Sequence, residues 1–228
     1  MEQGPAPRPA PRPAPRLVLH FSRNPNPRLA VAVARHLGVA LDFRFAAPFD
    51  PACTTDFAAL NPSRRIPILT EPGRPPLWEA DAIACRLSQV ARSSFWRQDE
   101  EAPEMIRWLS WGKENFVRAC DIVHFERGTK QRYHIGPVDE GAVAAGLALF
   151  AQSAAQLDRY LSGRDWLVPG GVSHADFRMA CFLPFNDAAR LPLADYPAIQ
   201  AWSARLCRLT GWADPFAGLA APPLPAAG

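Results

Sequence analysis

Three short runs of this sequence carry groups suited to holding a small polar ligand. In Ile66-Pro67-Ile68-Leu69 a proline sits just inside an apolar strand. Pro67 has no N–H for a ladder, so it belongs at an edge or a bend. Its bond to Ile66 is of the one type that adopts cis at modest cost, and cis is expected here. A bend there leaves the preceding amide and carbonyl free to pair with an extended peptide ligand. Glu79-Ala80-Asp81 opens a helix, whose first amides lack partners and favour an anion. Asn24-Pro25-Asn26-Pro27 starts another helix, with asparagine as cap and proline in the first turn.

The elements that must position these runs can be read from periodicity. Leu17 to Phe21 is a short apolar strand; Leu29, Val33 and Leu37 mark a helix that Gly38 ends; Leu41 to Phe45 is a second strand. This is a parallel β-α-β crossover. The strand at Ile66, a turn at Glu71-Pro72-Gly73, a strand at Leu77-Trp78 and a helix through Ile83, Leu87 and Val90 add β-β-α. Residues 91–102 are polar and charged, as an interdomain linker would be. Beyond them the pattern is helical only. Met105, Trp108, Leu109, Phe116, Cys120 and Val123 form one stripe. Val143, Leu147, Phe150, Ala154, Leu157 and Leu161 form the next, with a loop from Gly128 to Glu140 between them. Ser173-His174-Ala175-Asp176 reads as a capping box. Ile199, Trp202, Leu206 and Leu209 mark a further helix after Tyr196-Pro197. The fold class is an α/β thioredoxin-like domain over 17–92 followed by an all-helical domain over 103–216. Residues 1–16 form a Pro/Ala/Arg-rich disordered extension, and residues 217–228 a flexible tail.

Taken in order, Asn61-Pro62, Ile66-Pro67-Ile68-Leu69, Glu79-Ala80-Asp81-Ala82-Ile83, the Ser173–Asp176 box and Tyr196-Pro197-Ala198-Ile199 with Trp202 resemble the motifs of the glutathione transferase family. The resemblance covers both domains, from about Leu17 to Pro215. It implies a cytosolic transferase that binds glutathione as co-substrate and adds its thiolate to a small apolar electrophile, in a homodimer. A thiol of pKa near 8.5 must then be held as thiolate by a donor to sulfur. The family places that donor just after the first strand, where Asn24, Asn26 and Ser22 are the candidates. The resemblance assigns Glu79 to the ligand's ammonium group and Ile66, before Pro67, to its backbone. Arg65 is a candidate for a ligand carboxylate. Ala80 stands where the family usually has serine, so the ligand's γ-glutamyl carboxylate meets a backbone amide without a hydroxyl. By the family plan Trp108, Trp111, Phe116 and Phe125 lie on the helix that lines the electrophile site; by composition alone they are core. The alternative is a transferase-fold protein that binds a ligand or partner without catalysis, which Ala80 and Asn24 favour.

Composition narrows the classes. The 228 residues are 48% apolar and 21% charged, with net charge +3. That is no footprint for nucleic acid or a membrane surface. Cys53, Cys85, Cys120, Cys181 and Cys207 are scattered with no C-x-x-C pair, which fits a reducing compartment. His20, His36, His124, His134 and His174 show no metal spacing, so no metal is expected. No secretory signal and no membrane-length apolar run is visible, and a cytoplasmic location is expected.

Overall fold

The structure, a computed structural model, describes residues 16–50 and 55–227. The extension expected over 1–16 lies outside them except for Arg16, which sits 3.7 Å from Asp42. Strand β1 (Val18–Phe21), helix α1 (Pro25–His36) and strand β2 (Asp42–Phe45) form the parallel crossover. Strands β3 (Ile68–Thr70) and β4 (Leu77–Trp78) add antiparallel pairs, giving the order β2-β1-β3-β4. The Ile66–Pro67 bond is cis. Leu19 is opposite both Phe43 and Leu69 in the ladders and is fully buried.

Helix α1 ends as its glycine requires. Gly38 takes φ +62°. Its N–H meets the Arg35 carbonyl and the Val39 N–H meets that of Ala34, the paired bonds of a Schellman motif. From Leu29 to Ala34 every residue of α1 is buried. Such all-round burial is that of a helix enclosed between layers, and it follows from packing against β1 and helix α2 (Ala80–Val90) as well as against the helical domain.

The helical domain comprises α3 (Ala102–Glu114), α4 (Phe116–His124), α5 (Lys130–Tyr133), α6 (Glu140–Leu161), α7 (His174–Met179), α8 (Asn186–Ala189), α9 (Pro197–Leu206) and α10 (Thr210–Ala213). The first stripe is one interrupted helix. At Asn115 the backbone leaves helical geometry and the side-chain amide donates to the Trp111 carbonyl, 2.8 Å away. The loop expected from Gly128 begins only after Tyr133. A wide turn at Phe125–Thr129 carries the chain into α5, held by the Lys130–Glu126 ion pair at 2.7 Å. Gly128 therefore packs rather than breaks: a Cβ there would come 3.2 Å from His124 and Arg132.

One carboxylate organises the C-terminal helices. Asp176 has no exposed surface. It accepts from the Ser173 N–H and hydroxyl, closing the capping box, and from the Leu167 N–H and Trp202 Nε1, all within 3.0 Å. The box and the Tyr196–Trp202 motif thus converge on one side chain.

The polar stretch 91–102 between the domains is packed: Phe95 and Arg97 are buried, and Arg97 donates to the Pro169 and Gly171 carbonyls. The expectation for the C-terminal tail is corrected in part. The tail does not fray at its start. Arg35 donates to the Pro215 and Ala217 carbonyls, and Arg23 to that of Ala221. These bonds strap the C-terminal segment over α1. Gly211 in α10 sets the approach, because a Cβ there would meet the His36 backbone nitrogen at 2.5 Å. Gly211→Ala is expected to push α10 off α1 and cost about 1–3 kcal/mol, read by chemical denaturation. An unchanged midpoint would mean that the close approach of α10 to α1 carries no stability. Among the described residues no helix is long and apolar enough to cross a membrane.

Candidate functional site

The loop from β1 into α1 places the three candidate donors differently. Ser22 is buried at 1% exposure, and its hydroxyl oxygen accepts the Asn24 N–H at 3.4 Å. Asn24 holds the cap position of α1 in extended geometry, yet its side chain caps nothing. Pro25 and Pro27 have no N–H to satisfy in that first turn. The Asn24 carboxamide oxygen accepts instead from the Tyr133 hydroxyl, 3.3 Å away on α5. The Phe49 ring, on a residue with φ +63°, lies 4.7 Å from that of Tyr133. Asn26 is exposed, and its Oδ1 accepts from Arg178 Nη1 at 2.7 Å. A guanidinium only donates, so this bond fixes the Asn26 amide with its NH2 group turned away.

The second run has the expected bend. Asn61 is buried; its amide donates to the Arg65 carbonyl at 2.7 Å, and its Oδ1 accepts from the Ser63 N–H and hydroxyl. This local ring of bonds folds the loop and leaves Arg65 exposed and Ile66 half-buried ahead of buried Pro67. The third run opens α2. Glu79 is exposed with φ +72°, a conformation that side chains other than glycine rarely adopt. Its neighbour Ala80 is buried.

Asp81, one residue on, is the hub that local sequence reasoning passed over. His174 Nε2 lies 2.8 Å from its Oδ1, Arg178 Nε donates at 2.6 Å, and Lys113 Nζ sits 3.0 Å from its Oδ2. Burial alone would raise the carboxyl, but Arg178, His174 and Lys113 together outweigh it and hold Asp81 well below the carboxylate range. A chain of contacts thus runs from α2 through Arg178 on α7 to Asn26 on α1. The signal for it was present: His174 and Arg178 are four apart, which puts both on one face of a short helix. Tyr133 could not be placed while its segment read as loop.

Trp108 is buried against Tyr160 and half-buried Trp111, and Phe116 is fully buried against Phe150, so Trp108 and Phe116 pack in the helical core. Phe125 is 41% exposed beside Lys130. Among the described residues no cluster of His, Cys, Asp or Glu suits a metal ion.

Two buried histidines are expected to make the domain acid-sensitive. Burial, aided by Arg132, pushes His124 from 6.5 to about 4, and burial lowers His174 as well. Both are neutral when folded and take up protons on unfolding. Their contribution is therefore full above about pH 6.5 and is lost as pH falls toward the folded values. His124 alone contributes roughly 3 kcal/mol. Denaturation midpoints are expected to fall between pH 6.5 and 4; a flat profile there would contradict the neutral assignment.

Comparison with known proteins agrees with this architecture. Residues 140–205 match the family model of the glutathione S-transferase C-terminal domain. FtsZ-localized protein A of Caulobacter vibrioides is 27% identical over 177 residues, which cover 72% of this chain and 77% of that protein. A glutathione S-transferase from Rhodospirillum rubrum superposes with TM-score 0.77 at 20% identity, covering 92% of this chain and 96% of that one. Ure2p in complex with glutathione superposes with TM-score 0.77 at 18% identity, covering 91% and 96%.

Proposed function

We propose that this chain, whose residues 140–205 match the glutathione S-transferase C-terminal family model and whose fold is that of glutathione S-transferases, acts by binding a partner rather than by conjugating a thiol. One observation carries this reading: the polar groups at the sulfur end of the ligand frame are engaged in joining the two domains. Asn24 is tied to Tyr133 and Asn26 to Arg178, which Asp81 holds, while the Ser22 hydroxyl is buried. At the other end Ala80 offers no hydroxyl to the ligand carboxylate. Activating a thiol requires a donor aimed at sulfur; here the Asn24 and Asn26 oxygens accept across the domain boundary, so each amide is oriented by that contact, and the Ser22 hydroxyl is buried. The name of the Caulobacter relative makes FtsZ the first partner to test. Fluorescence anisotropy of the labelled full chain titrated with purified FtsZ is expected to show saturable binding. No binding, together with saturable conjugation, would reverse the assignment.

Conjugation is the second reading, supported by the frame itself. Glu79 presents an exposed carboxylate for an ammonium group, Ile66 offers its backbone at a cis proline, and the Asn26 NH2 points away from Arg178. On that reading glutathione is co-substrate to a small apolar electrophile, no metal takes part, and the chain is a cytoplasmic homodimer. Calorimetric titration with glutathione followed by an aryl halide assay separates the two readings.

A further inference from the structure

Beyond the ligand frame, a cavity of about 920 Å³ opens between α1 and the helical domain. It is walled by Arg23, Arg28, Arg127, Arg132 and Arg190, and residues 223–227 of the C-terminal strap form one side. We propose that this cavity binds a small polyanion bearing phosphate or carboxylate groups, gripped by Arg28 and Arg132 at its floor.

Several guanidinium donors in this wall are unmatched. Arg28 and Arg132 are 6% and 8% exposed. Arg28 donates through Nη2 to the Trp212 carbonyl and lies over the Trp212 ring, but its Nη1 is buried without a partner. Arg132 Nη1 sits 3.2 Å from His124, while its Nε is buried and unpartnered. The Arg23 Nε is in the same condition. A buried charge costs several kcal/mol unless paired, and so does poorly without a counter-ion. Glu140, Asp187 and Asp214 also line the cavity, yet among the described residues none of the five arginines comes within ion-pair distance of a carboxylate. Five cations against three anions leave the wall net positive. Burial draws Arg28 down to about 10, more than the nearby Asp214 carboxylate and the Cys181 and Cys207 sulfurs offset. Guanidinium forks match the planar, two-oxygen edges of phosphate and carboxylate. The volume suits a ligand up to the size of a drug-like molecule. None of this depends on whether the partner is FtsZ or on conjugation.

The test is calorimetry on the full chain at constant ionic strength with two probes, pyrophosphate and citrate, which separate phosphate from carboxylate recognition. At least one is expected to bind saturably, and Arg132→Gln to weaken it about tenfold or more, the loss of one charge-assisted contact. Arg190→Gln, at an exposed rim position, supplies a second variant should Arg132→Gln fail to fold, and is expected to weaken binding several-fold. No saturable binding of either probe, or binding that these variants leave unchanged, overturns the proposal.

Discussion

Asp176→Ala is expected to be the most damaging single change in the helical domain. The carboxylate has no exposed surface and accepts from four donors: the Leu167 and Ser173 N–H groups, the Ser173 hydroxyl and the Trp202 indole. Truncation would strip all four at once and leave a hole beside a fully buried tryptophan. Each orphaned buried donor costs about 1–3 kcal/mol, so a total loss of about 4 kcal/mol or more is expected. Asp176→Asn keeps the volume but turns one acceptor into a donor facing donors, and should recover only part of the loss. Chemical denaturation with far-ultraviolet circular dichroism reads both. A loss below about 1 kcal/mol, the worth of an ordinary helix cap, would show that the network is not formed.

The second large effect is expected at Asp81. Asp81→Ala would leave Arg178, 4% exposed, without its ion-pair partner in the interior and hydrogen-bonded to the Asn26 oxygen and the Cys181 sulfur alone among the described residues. Breaking a buried pair in this way costs about 3–5 kcal/mol. The pair also links the domains, so the N-terminal domain should loosen from α7, seen as faster amide exchange in α1 and α2. Arg178→Met removes the stranded charge and should be milder in the Asp81→Ala background than the sum of the two changes, a coupling that a double-mutant cycle measures. The sign of the pH response follows from the depressed Asp81 carboxyl. Its contribution is complete above the ordinary carboxylate value and is lost only as pH falls through the depressed one. Additive effects, or equal stability of Asp81→Ala and the parent, would contradict the interdomain network.

Much of the fold was legible because it is written locally. The helix end at Gly38, the bend at Pro67 and the box at Ser173–Asp176 are signals contained within a few residues, and the structure places each where its chemistry requires. What local pattern does not contain is the choice of distant partners. Arg178 meets Asn26 across 152 residues and Asp81 across 97, and Arg23 meets Ala221 across 198. Periodicity can place Arg178 on a helix face without saying what that face meets. Gly128 misled for a related reason: glycine is a helix breaker by propensity, but here the tight packing of His124 and Arg132 favours it inside a helical run. Trp108 and Phe116 were assignable to a stripe, and whether that stripe faced a cleft or the core was settled only by the partners Tyr160 and Phe150.

The central claim is that the β1–α1 loop joins domains and does not activate a thiol. The most direct measurement is the ultraviolet absorbance of thiolate in the protein mixed with excess glutathione, followed as pH is raised from about 5 to 9. The account predicts no thiolate signal beyond that of free glutathione, which titrates near the ordinary thiol value of about 8.5. A saturable thiolate band titrating one or more units lower, and abolished by Asn26→Ala, would contradict it and make this chain a glutathione-activating enzyme.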